Sequence, residues 1–279
     1  MSDYEWNRTF FEKVVKINAG AADYGYRSAG PEGDRARLTE METSALGPIR
    51  GASVLHLMCH IGAESTALAA LGASVTAIDV NETAIRLARL RAEYLRLKID
   101  FIQGDVRHAA GLVAGRKFDV VYMGLGLIGW ISDLGALFRT VATCLRPGGR
   151  LVMFEIHPVA QTASAAEKSS DPRATEYGRH ARDLPIRCEY RRSWAAERPS
   201  GEVDGFFLWK HSLGDVLTAV ASAPLGIETF HEHAETTYRQ FDDMTKGAGG
   251  TWSFVSPSIF PLTFTLVARR PYTRPSMAE

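Results

Sequence analysis

The sequence has little sulfur, no net charge and no long apolar run, and each shortage excludes a class of protein. Three cysteines in 279 residues, Cys59, Cys144 and Cys188, are too few and too scattered for a disulfide framework. No metal-ligand spacing links them, so no metal site is expected. Lys and Arg total 32 and so do Asp and Glu, which leaves no global basic field for nucleic acid or an anionic membrane. No apolar run approaches the about 18 residues of a membrane span. The first residues, MSDYEWNRTFFEKVVK, lack the apolar stretch of a signal peptide, so a cytoplasmic location is expected. Glycine is scarce at one telling place. Of the glycines that a nucleotide-binding turn normally carries, only Gly62 is present in the connection after the apolar run 53–58.

What is present is a strict alternation. Apolar runs at 53–58, 74–79, 100–105, 118–124 and 150–157 are separated by helix-like segments. Over 82–97, Ile85, Ala88, Ala92 and Leu95 share one helical face behind a cap at Asn81. A helix over 133–145 closes on Pro147-Gly148-Gly149. This pattern predicts an α/β fold with a doubly wound parallel sheet. The flanks add helices at 4–17 and 34–46, a helix at 212–223, and strands at 226–235 and 261–270.

The chain therefore divides into an N-terminal helical cap (1–50), a ligand-binding core (51–158), a polar lid insertion (159–205), a return to the same core (206–270) and a tail (271–279). The lid is rich in Arg and in balancing acids, which suits a solvated surface.

Chemistry concentrates at the carboxyl ends of the apolar runs. Asp79 ends the second, where a carboxylate can accept both hydroxyls of a ribose; the plain alternative is a cap for the helix that follows. Asp105 ends the third, placed for an adenine amino group while the Val106 N–H meets a ring nitrogen, or else serves as a turn residue. His157 ends the fifth, where a neutral imidazole could take a proton from an acceptor or merely bond a loop. His60 and His211 are further candidate bases. Cys59 reads as a small buried residue rather than a nucleophile. Tyr24, Tyr26, Trp130 and Trp209 are aromatics placed to wall a pocket.

These positions and the order of elements resemble the class I S-adenosylmethionine-dependent methyltransferases, over residues 50–158 and again over 205–270. Within that family, LHLMCHIG…GASVTAID, FDVVYMGLGLIGWISDL and LRPGGRLVMFEIHP look like a bacterial small-molecule subgroup with a Cys-His-x-Gly cofactor loop. The resemblance implies a seven-stranded Rossmann-like sheet closed by a C-terminal antiparallel hairpin, and S-adenosyl-L-methionine as cofactor. It implies that Leu57, Met58, Cys59 and Gly62 contact the methionine portion. Asp79 and Val80 then take the ribose, Asp105 and Val106 the adenine, and Met123, Gly124 and Leu125 the sulfonium side. His60, Trp130, His157, Trp209 and His211 fall on the substrate side, with His157 as the candidate catalytic base. The chain departs from the family at His56, where an acid often helps hold the cofactor's ammonium, and at Met58 and His60, which are often glycine.

The implied activity is N- or O-methylation of a small-molecule acceptor in specialised metabolism, by direct in-line transfer. A nicotinamide-dependent dehydrogenase and a non-catalytic binding protein on the same fold are the alternatives. Nucleic acid is not an expected partner, and the sequence leaves the oligomeric state open.

Overall fold

A computed structural model describes residues 2–18, 38–162, 185–188, 205–256 and 260–272. In chain order the elements are α1 (Asp3–Asn18), α2 (Glu40–Leu46), β1 (Ser53–Leu57), α3 (Ala63–Ala70), β2 (Ser74–Asp79), α4 (Glu82–Tyr94), β3 (Ile99–Gln103), α5 (Ala109–Leu112) and β4 (Phe118–Met123). They continue with α6 (Leu134–Cys144), β5 (Leu145–Ile156), α7 (Pro158–Thr162), β6 (Ile186–Cys188), β7 (Phe206–Leu208) and α8 (Leu213–Ser222). The last are β8 (Gly226–His233), β9 (Glu235–Thr236), β10 (Met244–Lys246), β11 (Trp252–Phe254) and β12 (Thr263–Arg269).

Seven strands form one sheet in the order β3-β2-β1-β4-β5-β12-β8. The first five run parallel, and β12 enters antiparallel to both β5 and β8, the expected closing hairpin. The order reverses direction between β1 and β4, which opens a crevice at their carboxyl ends. Alternation along β1 sends Val54 and His56 to one face and Leu55 and Leu57 to the other. Each face carries its own buried apolar cluster, under α3 and α4 on one side and α6 and α8 on the other.

Local chemistry sets the element ends. The Asn81 carboxamide accepts the Ala84 N–H at 2.7 Å and starts α4, while Arg96, in the left-handed region at φ 56, stops it three residues before the expected end. Ser212 and Asp215 close a capping box on α8. The third strand ends at Gln103 rather than 105, because the Asp105 side chain accepts the Arg107 N–H and begins a 3₁₀ turn. The fifth begins at Leu145, since the Pro147-Gly148-Gly149 turn lies inside it as an irregularity in its pairing with β4.

Two features were not anticipated. A small sheet in the order β10-β11-β9 packs Phe241, Met244, Phe254, Phe260 and Leu262 into a separate cluster. A strand within the insertion, β6, also pairs antiparallel with β7 just beyond it. Tyr24, Tyr26 and most of the lid lie outside the described residues. Cys59, Cys144 and Cys188 are free thiols. Among the described residues no helix is long and apolar enough to cross a membrane, and no cluster of His, Cys, Asp and Glu could hold a metal ion.

Candidate active site

The carboxyl ends of β1, β2, β3 and β4 bring Leu57, Asp79, Asp105 and Met123 to one edge of the sheet, and Leu57 pairs with both Ile78 and Met123. The loop after β1 has an unusual backbone. Met58, His60 and Gly62 all take the left-handed region, at φ 54, 50 and 74. The chain therefore keeps the path that glycine would favour, using two residues for which it costs roughly 1–2 kcal/mol each. Backbone bonds hold that path: Cys59 donates to Ile78 O at 3.0 Å and Gly62 to Cys59 O at 2.9 Å. At Gly62 there is no alternative, because a Cβ would lie 2.9 Å from Ala88 Cβ.

Asp79 is the organising acid. Its Oδ2 accepts the His60 N–H at 2.8 Å and its Oδ1 the Asn81 N–H at 2.9 Å. Burial raises its pKa against the pull of those donors. Each oxygen keeps a further lone pair for a ligand hydroxyl. Val80 follows at the partly exposed rim. Asp105 is gripped by Arg107, whose Nη2 lies 2.5 Å from Oδ2. Burial alone would raise this carboxyl, but the Arg107 hydrogen bonds hold it below the usual range. The Arg107 guanidinium in turn stacks over the Tyr4 ring at 3.7 Å. Burial, with Asp105 next in weight, pushes the Tyr4 hydroxyl up to about 12. Val106 is buried beside them.

Helix α1 thus lies across this edge. Glu12 accepts from Glu82 N and Thr83 Oγ1 at the start of α4. Asn7 exchanges two bonds with the Phe207 backbone, at 2.7 and 2.8 Å. Phe11 meets Trp130 edge-on at 4.4 Å, and Phe206 packs tilted against the Trp130 ring at 5.2 Å. Trp130, Phe11 and Phe206 make one aromatic wall.

The segment after β4 is held by a residue that sequence reasoning missed. Glu155, buried in β5, accepts the N–H groups of Gly126, Leu127, Ile128 and Ile156 at 2.6–3.0 Å. Burial pushes its carboxyl up to about 7 against those four donors. The available signal was a lone charge inside the apolar run LVMFEI. Glu155 thereby fixes the turn that follows Gly124 and Leu125.

The candidate bases sit differently from one another. His157 is buried, its Nδ1 accepts the Val159 N–H at 3.2 Å, and its Nε2 lies 2.9 Å from Glu232 Oε1. The Nδ1 lone pair is thus engaged by the Val159 backbone, the loop-bonding arrangement weighed against a base at this position. His211 Nε2 meets Ile131 O at 2.7 Å, and the Trp209 N–H donates to Gly129 O at 2.8 Å. Both residues brace the 3₁₀ turn that carries Trp130. His60 is only partly buried by surface, and burial lowers its pKa to about 4. Burial pushes the Cys59 thiol well up, so it stays protonated.

Residues 54–149 match the model of a methyltransferase domain. A ubiquinone biosynthesis O-methyltransferase of Xanthomonas oryzae pv. oryzae (strain PXO99A) is 34% identical over 147 residues, 52% of this chain and 61% of that protein. The corresponding enzyme of Methylobacterium sp. (strain 4-46) is 31% identical over 102 residues, 37% of this chain and 40% of its own length. The match thus spans less than two thirds of either relative. Among solved structures, the magnesium protoporphyrin IX methyltransferase of Synechocystis PCC 6803 with bound S-adenosylmethionine aligns over 97% of this chain and 98% of its own. Its TM-score is 0.56 at 16% identity. Residues 54–149 are thus similar to a methyltransferase domain, and the sheet has the fold of the S-adenosylmethionine-dependent methyltransferase structures that align with it. The cofactor of that class is S-adenosyl-L-methionine.

Proposed function

We propose that this protein methylates a small-molecule acceptor, using S-adenosyl-L-methionine and transferring to oxygen or nitrogen. The observation that carries the reading is Asp79, held by His60 and Asn81 with lone pairs to spare at the switch point between β1 and β4. The donor set fits the cofactor. Asp79 offers acceptors to ribose hydroxyls, and the left-handed loop at 58–62 turns backbone toward the methionine portion. Asp105 and Val106 stand where the adenine edge would lie. There, Asp105 would serve adenine while still bonded to Arg107.

Bound S-adenosylmethionine supplies a sulfonium methyl that an acceptor displaces in line. The chain's part is alignment and exclusion of water, which can lower a barrier by up to about 7–11 kcal/mol. Helix α1 roofs the edge, and Phe11, Trp130 and Phe206 offer an apolar aromatic wall to an acceptor. The relatives are named as O-methyltransferases, which favours oxygen as the acceptor atom. The setting proposed is specialised metabolism in the cytoplasm, with neither nucleic acid nor membrane as partner. With the His157 lone pair on Val159, His157→Ala is expected to leave turnover within a few-fold, which a methyl-transfer assay reads.

Calorimetric titration with S-adenosylmethionine and with NAD tests the reading. Heat with the first alone is expected. A response to NAD alone would sink it in favour of a dehydrogenase, and no heat with either would favour a non-catalytic binding protein.

A further inference from the structure

Asp105 lies beyond the end of β3 and takes its orientation from Arg107. Its Oδ1 accepts the Arg107 backbone N–H at 2.9 Å, and its two oxygens share the Nε–H at 3.1 and 2.9 Å. Nη2 adds a bond to Oδ2 at 2.5 Å. This fork sets the plane of the carboxylate. The main chain of Arg107 is tied to α6, where Thr140 Oγ1 donates to the Arg107 carbonyl oxygen at 3.3 Å. The Arg107 side chain, by contrast, is 40% exposed. An ion pair so open to solvent spends much of its gain on holding a long side chain in one geometry.

A second contact restrains that side chain. The guanidinium carbon lies 3.7 Å from the centre of the Tyr4 ring. Tyr4 stands in the first turn of α1, outside residues 54–149 that match the methyltransferase domain. Burial pushes its hydroxyl up to about 12, and the charges of Asp105 and Asp79 add to the shift, so it stays protonated near both acids. Other bonds dock the helix. Trp6 Nε1 donates to Gly205 O at 2.8 Å, Asn7 bonds the Phe207 backbone, and Glu12 holds the start of α4. The Tyr4 ring therefore acts on Arg107 from a helix whose place is already secured.

We propose that Tyr4 is a positioning residue for discrimination of the cofactor's base: its ring fixes the Arg107 guanidinium, and the guanidinium orients the Asp105 carboxylate toward an exocyclic amino group. This rests on the methyltransferase reading above. The guanidinium has an edge for the carboxylate and a face for the ring, a combination that lysine does not offer. An ionised carboxylate accepts from the amino group of adenine and opposes the carbonyl oxygen that hypoxanthine carries in its place. The role of Tyr4 thus shows in the choice between two bases, not in affinity alone.

The test takes the ratio of two affinities, measured by calorimetry on the full chain: S-adenosylhomocysteine and its hypoxanthine counterpart, S-inosylhomocysteine. The unaltered protein is expected to favour the adenine ligand about tenfold or more, the scale of one hydrogen bond to a charged group. Tyr4→Leu is expected to lower that preference about threefold or more, the scale of one cation–π contact. Tyr4→Phe, which keeps the ring, is expected to restore it. Because Tyr4 acts through Arg107, adding Tyr4→Leu to Arg107→Ala is expected to change the ratio no further than Arg107→Ala alone. Should Tyr4→Leu fail to fold, Arg107→Lys, which keeps the charge and loses the flat face, is expected to lower the preference as far. An unchanged ratio in these variants, no restoration by Tyr4→Phe, or losses that add in the double variant overturn the proposal. Equal binding of the two ligands by the unaltered protein overturns it too. Binding of neither ligand to the unaltered protein overturns instead the reading beneath it.

Discussion

Asp79 Oδ2 accepts the backbone N–H of His60 at 2.8 Å, so the acid that ends β2 also pins the loop that follows β1. One carboxylate therefore has two tasks, offering acceptors to a ligand and holding a left-handed residue in place. Separating them requires measuring affinity and stability together.

Asp79→Ala removes both acceptors offered to the ribose and orphans the N–H groups of His60 and Asn81. Binding of S-adenosylhomocysteine is expected to fall at least about 100-fold, the worth of two charge-assisted hydrogen bonds, and stability by about 1–3 kcal/mol. Calorimetry and urea unfolding read the two effects. Unchanged affinity would place the ribose elsewhere.

Gly62→Ala is expected to be costly without touching any ligand atom. The position combines φ 74 with a Cβ site 2.9 Å from Ala88 Cβ and 3.1 Å from the Phe101 ring. Left-handed strain of about 1–2 kcal/mol adds to an overpacking cost of about 1–3 kcal/mol. A urea midpoint that does not move would show that the loop can take another path.

Glu155→Gln keeps the size of the side chain but offers one acceptor oxygen where two serve four N–H groups. The amide nitrogen then faces two donors. A loss of about 2–4 kcal/mol is expected. Amide hydrogen exchange should locate it at residues 126–128, and uniform loosening of the whole domain would argue against an anchoring role.

His56 also gives the fold a pH signature. Its pKa is lowered from 6.5 to about 3 by burial, so the folded state takes up its proton more reluctantly than the unfolded one. Stability present above pH 6.5 is lost progressively as pH falls toward 3, by about 2 kcal/mol between pH 6.5 and 5 from this residue alone. His56→Gln should flatten that part of the profile. Parallel urea series at pH 7, 6 and 5 on both proteins provide the check, and identical slopes would contradict the assignment.

The sheet was legible because the inner parallel strands, buried on both faces, leave continuous apolar runs, and because Asn81 and Ser212 announce helix starts. Asp79 and Asp105 were legible as acids at strand ends. The backbone of Met58 and His60 was not, since nothing in a side chain reports a positive φ where glycine is absent. Strands β9 to β11 have two or three residues each, too few to show a period of two. Glu155 and Tyr4 act through partners fixed only by tertiary packing. His157 was legible as a strand-end histidine, but the Val159 N–H that occupies its lone pair comes from a turn of α7 that periodicity does not reveal.

The bond between Asn7 and Phe207 joins residues 200 apart in the chain. During synthesis the strands β1 to β5 can all emerge and pair before Phe207 exists, so α1 can meet Thr83, Arg107 and Trp130 while its bonds to Phe207 are still unmade. The last fastening of the roof is accordingly a late and non-local contact in folding. A nascent chain can hold five paired strands under a helix that is still tied at one side only.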